Sequence, residues 1–330
     1  MLNDKVVLIT GGTGTFGQYF TEYLLNNYKP KKIIIFSRDE YKQFLMKSKF
    51  KEYTDVLRFF IGDVRDSDRL MRAFDGVDYV VHAAAMKQVP ACEYNPIEAI
   101  KTNINGATNV IDAALDRNVK KVVALSTDKA VNPINLYGGT KLVSDKLFIS
   151  ANAYTGGTKS SFSVVRYGNV AGSRGSVIPY FKELLSKGVS NLPITDFQMT
   201  RFWISLDQGV ELVMNALANS RGGETYISKI PSFRITDLAK AMAPSLELQQ
   251  VGIREGEKMH EVMITSEDSA FTYEYEDFFV IYPNMDWWIY DESNYIPGGK
   301  KVPAGFEYNS GTNKEWLTVD QLTDLVARME

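Results

Sequence analysis

Apolar residues in the first two-thirds of this chain fall into short, dense runs separated by segments of helical period. Lys5–Thr10, Lys32–Ser37, Leu57–Gly62, Tyr79–Ala83, Val122–Ser126 and Phe162–Arg166 each read as a strand. Their apolarity is nearly continuous rather than alternating, as in parallel strands covered on both faces. Between them, Phe16, Phe20 and Leu24 line one helical face. Ile97, Ile100, Ile104, Ala107, Ile111 and Ala114 line another. Strand and helix in alternation predict an α/β fold, a doubly wound parallel sheet of the Rossmann type.

Beyond about residue 170 the alternation gives way to loops rich in Gly, Ser and Pro, short helices and one more strand candidate, Thr225–Ser228. A final helix opens with a capping box, Thr318 to Gln321, and carries Leu322, Leu325, Val326 and Met329 on one face. The aromatic, acidic stretch from Phe271 to Tyr290, with Trp287 and Trp288, reads as packing or a subunit interface. The expected division is a Rossmann domain over 1–173 with a returning segment near 203–232. A smaller C-terminal substrate-binding lobe is expected from 174–202 and 233–330.

Composition narrows the chemistry. The 330 residues are 45% hydrophobic and 23% charged, an ordinary globular balance, and the net charge of -3 argues against a nucleic-acid binder. A single cysteine, Cys92, excludes an intramolecular disulfide, and two histidines, His82 and His260, give no basis for a metal site. No apolar run reaches the roughly 18 residues that span a bilayer. The chain enters a strand within its first residues, so no signal peptide is expected. A soluble, cytoplasmic protein without membrane contact is the expectation.

Thr10–Gly17 follows the first strand directly and opens the first helix. Gly11, Gly14 and Gly17 permit a tight turn, close approach to a pyrophosphate and close helix packing. Thr13, Thr15 and Phe16 complete the loop, whose helix N-terminus offers N–H groups to phosphate. The second strand ends at Ser37-Arg38, and Arg38 stands 21 positions beyond Gly17. A guanidinium there suits the 2′-phosphate of NADP, with Lys42 one turn further on. The adjacent Asp39 speaks for NAD. Asp63 and Val64, after the third strand, sit where adenine is expected.

The fifth strand runs into Ser126-Thr127-Asp128-Lys129, followed by Tyr137 and Lys141 four apart on one helical face. A lysine ammonium near a phenol favours the phenolate, and a strand-end hydroxyl from Thr127 or Ser126 can hold the substrate oxygen. That trio suits removal of an alcohol proton as hydride passes to nicotinamide. Asp128 and Lys129 are a surplus. An acid and an amine aimed at one substrate suit a β-elimination, in which a base takes the proton next to a ketone and an acid protonates the departing hydroxyl. A 4-epimerase or dehydrogenase of nucleotide sugars would leave that pair idle. A non-catalytic NADP-binding regulator would need neither pair nor trio.

These motifs, with Phe36–Glu40, Ile61–Asp66, His82–Pro90, Arg166–Ser176, Ile194–Asp196, Met199–Trp203 and Gly252–Glu261, resemble extended short-chain dehydrogenases. They closely resemble the inverting UDP-N-acetylglucosamine 4,6-dehydratases of pseudaminic acid synthesis, over most of the chain up to about residue 265. The resemblance implies NADP as cofactor, with Ala83 and Ala84 added to its site, and a UDP-sugar as substrate. It implies that Tyr137 takes the C4 hydroxyl proton, Lys129 the C5 proton, and Asp128 protonates the C6 hydroxyl. The product would be a UDP-linked 4-keto-6-deoxy-L-arabino sugar. Lys87, Asn169, Arg174, Thr195, Met199, Arg201, Arg254, Glu257 and Lys258 would bind the substrate. A homo-oligomer, with a hexamer among the candidate states, is also implied. Lys129 stands where better-known hexose dehydratases carry glutamate, and Tyr137 where retaining relatives usually carry methionine. Glu255 departs from a common proline. His82 reads as a packing residue beside the cofactor rather than a catalyst.

Overall fold

The computed structural model describes residues 1–329 except 157–159, 173–174, 287 and 289–294. Six parallel strands, β1 (Val6–Thr10), β2 (Lys32–Ser37), β3 (Leu57–Ile61), β4 (Tyr79–His82), β5 (Lys121–Leu125) and β6 (Ser161–Arg166), lie in the order β3-β2-β1-β4-β5-β6. Each coincides with an expected strand to within one residue at either end. Alternate residues of one strand feed different cores. Val7 and Ile9 of β1 join the cluster on one face with Phe20 and Leu24. Val6 and Leu8 join the cluster on the other with Phe148 and Phe162. Burial of each such side chain contributes roughly 1.5–3 kcal/mol. Strand order reverses at β1, so the crevice beyond the carboxyl ends of β1 and β4 is the place for a ligand.

Three short strands, β7 (Asn191–Ile194), β8 (Thr200–Phe202) and β9 (Thr225–Ser228), come next. The helix Leu206–Asn219, closed at its start by a Ser205–Gln208 capping box, returns the chain so that β9 pairs parallel with β6. β10 (Ser232–Arg234) pairs antiparallel with β8, and β11 (Glu247–Gln250) parallel with β7. These pieces form a lobe with its own core of Phe181, Leu192, Trp203, Phe233, Leu238 and Leu322. The last helix, Val319–Ala327, supplies Leu322 and has the expected Thr318–Gln321 capping box.

Two expectations are corrected. Residues 233–330 do not all belong to the lobe. After β12 (Val262–Ile264), strands β13 (Thr272–Glu274), β14 (Phe278–Ile281) and β15 (Lys300–Lys301) extend the main sheet to ten strands beyond β9. β16 (Tyr308–Asn309) then pairs with β12. An edge at β9 would leave open backbone groups beside the buried Tyr226; Phe279, Val280 and Tyr282 cover it. Among the described residues, the aromatic stretch is therefore packing. Ile97 is not on the buried face but 59% exposed. A π-turn at Lys101–Asn105 rotates the register, so Ala99, Thr102 and Asn103 face inward before Ala107 and Val110 take over.

Candidate active site

Two adjoining clefts open along the carboxyl edge of the sheet, of about 460 and 550 Å³, and Lys87 and Asn169 line both. The first is built on the glycine loop. Gly11 has φ +65, and a Cβ there would meet the Ala84 backbone at 2.9 Å. A Cβ on Gly17 would lie 2.5 Å from Gly12, so the first helical turn rests on the loop. The helix Thr15–Asn27 starts at Gly14 with no side-chain cap and no acid in its first turn. Its N–H groups are left to an anion.

At the other end of this cleft, Arg38 reaches Asp63 at 3.5 Å and Lys42 meets Asp39 at 2.8 Å. Asp39 is occupied as the N-cap of the helix Glu40–Lys49, accepting from the Lys42 N–H at 2.9 Å. Its carboxylate is thus accounted for without a ribose. Asp63 is gripped by Arg65 through Nε at 2.9 Å. Although burial opposes it, Arg65 and Arg38 hold the Asp63 carboxyl below the usual range. Asn103, on the π-turn, binds the backbone of Met86 from both sides (2.8 and 2.9 Å), which shapes the loop carrying Ala84 and Lys87.

Catalytic candidates gather where the clefts meet. Thr127 caps the turn Asp128–Ala130. Asp128 is fully buried, and its Oδ1 accepts from Thr127 Oγ1 at 2.8 Å and from Lys129 Nζ at 3.0 Å. Asp128 Oδ2 is buried without a partner. Lys129 Nζ also donates to Asn169 Oδ1 at 3.0 Å. Burial opposes the Lys129 charge, but Asp128 and Glu261 outweigh it and raise its proton affinity, so the resting side chain is an ammonium. The helix Leu136–Ser150, capped by Asn135 on the Gly138 N–H at 2.8 Å, brings Tyr137 alongside. Burial pushes the Tyr137 phenol up to about 12, opposed by Lys129 and the Thr127 hydroxyl.

Lys141 is buried on the same helix face. Burial lowers its proton affinity against the pull of Asp145. Asp145 itself accepts from Ser126 Oγ at 2.6 Å. The Lys129 charge favours the Tyr137 phenolate, and Asp145 favours the Lys141 ammonium. His82 is buried and bonds Thr10 Oγ1 through Nδ1 at 2.8 Å. Burial, with Lys141 nearby, pushes it down to about 3, so it stays neutral.

The second cleft is lined by Lys87, Asn169, Thr195, Met199, Arg201, Arg254, Glu257 and Lys258, the expected substrate set apart from Arg174, which lies outside the described residues. Asn135 Nδ2 donates to Gly256 O at 2.8 Å and ties the 254–258 loop to the helix that carries Tyr137. Lys258 Nζ donates to Val131 O. Burial lowers the proton affinity of Lys87, and neighbouring Lys129 adds to it, so an anionic ligand there relieves repulsion. Two residues escaped the sequence reading. Glu261 is buried between Lys129 and Arg201. Asp145 lies four residues after Lys141, a spacing that was available as a signal. Among the described residues no cluster of His, Cys, Asp and Glu could hold a metal, and no helix is long and apolar enough to cross a membrane.

Residues 7–283 match the family model described as polysaccharide biosynthesis protein. The chain is similar to an inverting UDP-N-acetylglucosamine 4,6-dehydratase of Campylobacter jejuni, 55% identical over 100% of this chain and 99% of that protein. It is also similar to a UDP-glucose 4-epimerase of Rickettsia massiliae, 40% identical over 100% and 97% of the two chains. Among solved structures, Pen from Bacillus thuringiensis superposes with a TM-score of 0.89 at 39% identity, covering 100% of this chain and 99% of the other.

Proposed function

We propose that this chain, which belongs to the polysaccharide biosynthesis protein family, is an NADP-dependent, C5-inverting UDP-N-acetylglucosamine 4,6-dehydratase. The observation that carries this reading is the meeting of Tyr137, Thr127 and Lys129, with the buried Asp128 bonded to Lys129, where the glycine-loop cleft adjoins a second cleft that carries Lys87, Arg201, Arg254 and Lys258 beside four glutamates. A 4-epimerase, the name borne by full-length relatives, uses the phenol but gives a buried acid and ammonium no task. It remains the second reading.

The cofactor cleft fits NADP: the glycine cradle has no room for Cβ atoms, the helix N-terminus is uncapped, and Arg38 and Lys42 flank the ribose end. When bound, NADP+ supplies acceptance of the C4 hydrogen with its electron pair and its return at C6. The chain does the rest. Thr127 holds the C4 oxygen, and Tyr137, as the phenolate that the Lys129 charge favours, takes its proton. Lys129, as the amine, removes the C5 proton made acidic by the C4 ketone. Asp128, as the acid, delivers a proton to the C6 hydroxyl, which leaves as water. Arg201, Arg254, Lys87 and Lys258 neutralise the diphosphate, which reconciles an anionic substrate with a net charge of -3. We further propose a cytoplasmic homo-oligomer whose product enters pseudaminic acid-type sugar synthesis, a reading supported by the resemblance of the motifs.

Incubation with UDP-N-acetylglucosamine in heavy water tests the reading. Water loss from the sugar, one solvent deuterium at an inverted C5 and no build-up of reduced cofactor are expected. Recovery of the C4 epimer alone, with C6 intact, would replace the dehydratase by the epimerase.

A further inference from the structure

The proposed steps give Glu261 no task, yet it is 2% exposed and lines the substrate cleft. Its Oε1 lies 3.6 Å from Lys129 Nζ and 3.6 Å from Arg201 Nε, and its Oε2 is buried without a partner. A carboxylate in such a place is costly unless cations compensate it. Its backbone is gripped twice by one residue. The Glu261 N–H donates to Ser310 Oγ at 2.9 Å, and the Ser310 N–H donates to the Glu261 carbonyl at 2.8 Å. Ser310 Oγ also shares a hydrogen bond with Thr200 Oγ1 at 2.7 Å, and Thr200 Oγ1 meets His260 Nδ1 at 2.8 Å. A Cβ on Gly311 would lie 2.7 Å from the His260 ring, so glycine is what lets the segment after β16 close over this point. The segment after β16 thus reaches the Asp128–Lys129 pair through the Glu261 carboxylate.

We propose that Glu261 is a positioning residue for Lys129, forming with Asp128 a two-carboxylate cradle that fixes the ammonium and sets how readily it yields its proton. This deepens the dehydratase reading and rests on it. In the resting pair the proton is on Lys129 and Asp128 is a carboxylate. One proton moving along the 3.0 Å Nζ–Oδ1 bond leaves an amine and a carboxylic acid, the forms that elimination requires. The amine then takes the C5 proton, and the C5–H electron pair becomes the new C5–C6 double bond. The acid's proton leaves with the C6 oxygen as water, and ammonium and carboxylate are restored. Glu261 stays outside that transfer and weights its first step toward the ammonium. The other charged or titratable groups facing Lys129 are Arg201, Lys87, Lys258 and the Tyr137 phenol. The three cations oppose its charge, so each of the two carboxylates matters.

The test is the pH dependence of solvent-deuterium entry at C5 of UDP-N-acetylglucosamine, for the wild type, Glu261→Gln, Glu261→Asp and Ser310→Ala. The descending limb reports loss of the one proton that Lys129 and Asp128 share, without which the pair has a base but no acid. In Glu261→Gln it should move to lower pH by about one unit or more, and by less in the other two. A loss of packing alone would lower the rate without moving the limb. A folded Glu261→Gln whose limb stays in place overturns the proposal. Should that variant not fold, an unmoved limb in both Glu261→Asp and Ser310→Ala overturns it equally. A wild type that loses water with unmoved limbs in the variants sinks this inference alone. A wild type that never loses water sinks the dehydratase reading, and this inference with it.

Discussion

Gly138 and Gly139 are neighbours on one helical turn, and the structure sets them apart. A Cβ on Gly138 would lie 2.1 Å from the Lys129 carbonyl oxygen and 3.0 Å from Pro133 Cβ, whereas one on Gly139 would meet nothing within 4 Å. An unstrained carbon–oxygen contact is about 3.3 Å or more, so Gly138→Ala must push the two backbones apart by about 1 Å. One of them carries Tyr137 and the other Asp128 and Lys129. Overpacking of this kind costs about 1–3 kcal/mol of stability, and a 1 Å misplacement of reacting groups about 100-fold in rate. Gly138→Ala should therefore unfold at lower temperature and dehydrate UDP-N-acetylglucosamine about 100-fold more slowly. Gly139→Ala should keep full turnover and gain up to about 1 kcal/mol from helix propensity. Turnover followed by NMR, with thermal unfolding beside it, decides the matter. Gly138→Ala turning over within about twofold of the wild type would show that this close approach does not order the site.

Arg38→Ala should weaken NADP binding by about tenfold, the share of one charge-assisted contact, and leave NAD binding unchanged. Calorimetric titration with both cofactors checks this, and equal effects on the two would contradict the 2′-phosphate assignment. His82 adds an acid-sensitive term. With its value pushed from 6.5 down to about 3, the folded state prefers the neutral ring. That preference contributes fully above pH 6.5 and is lost as pH falls toward 3. At about 1.4 kcal/mol for each pH unit, the wild type should lose up to about 4–5 kcal/mol more than His82→Asn across that window, measured by denaturant melts. Parallel losses in the two proteins would show that the ring is not held neutral.

The parallel strands were legible because burial on both faces erases the period-two alternation and leaves bare apolar runs such as Lys32–Ser37. The glycine-loop cleft was legible for a similar reason: steric demands at Gly11 and Gly17 are local and leave local marks. Asp39, the residue that spoke for NAD, is the N-cap of the helix Glu40–Lys49, a role its position could have suggested. What stayed hidden depends on distant partners. Glu261 meets Lys129 across 132 positions of chain, and nothing in its own neighbourhood says so. Strands β13 and β15 span three and two residues, too short for a period to show. The π-turn at Lys101–Asn105 preserves helical composition while rotating the face, so Ile97 read as core and lies in solvent.

The central claim is that the amine of Lys129 removes the C5 proton of a hexose already oxidised at C4. Lys129→Gln keeps a hydrogen-bonding head between Asp128 and Asn169 and removes the base. Incubated with NADP+ and UDP-N-acetylglucosamine in heavy water, this variant should return sugar with protium at C5 and C6 intact while the wild type dehydrates it. Deuterium at C5 and water loss at the wild-type rate in Lys129→Gln would contradict the account.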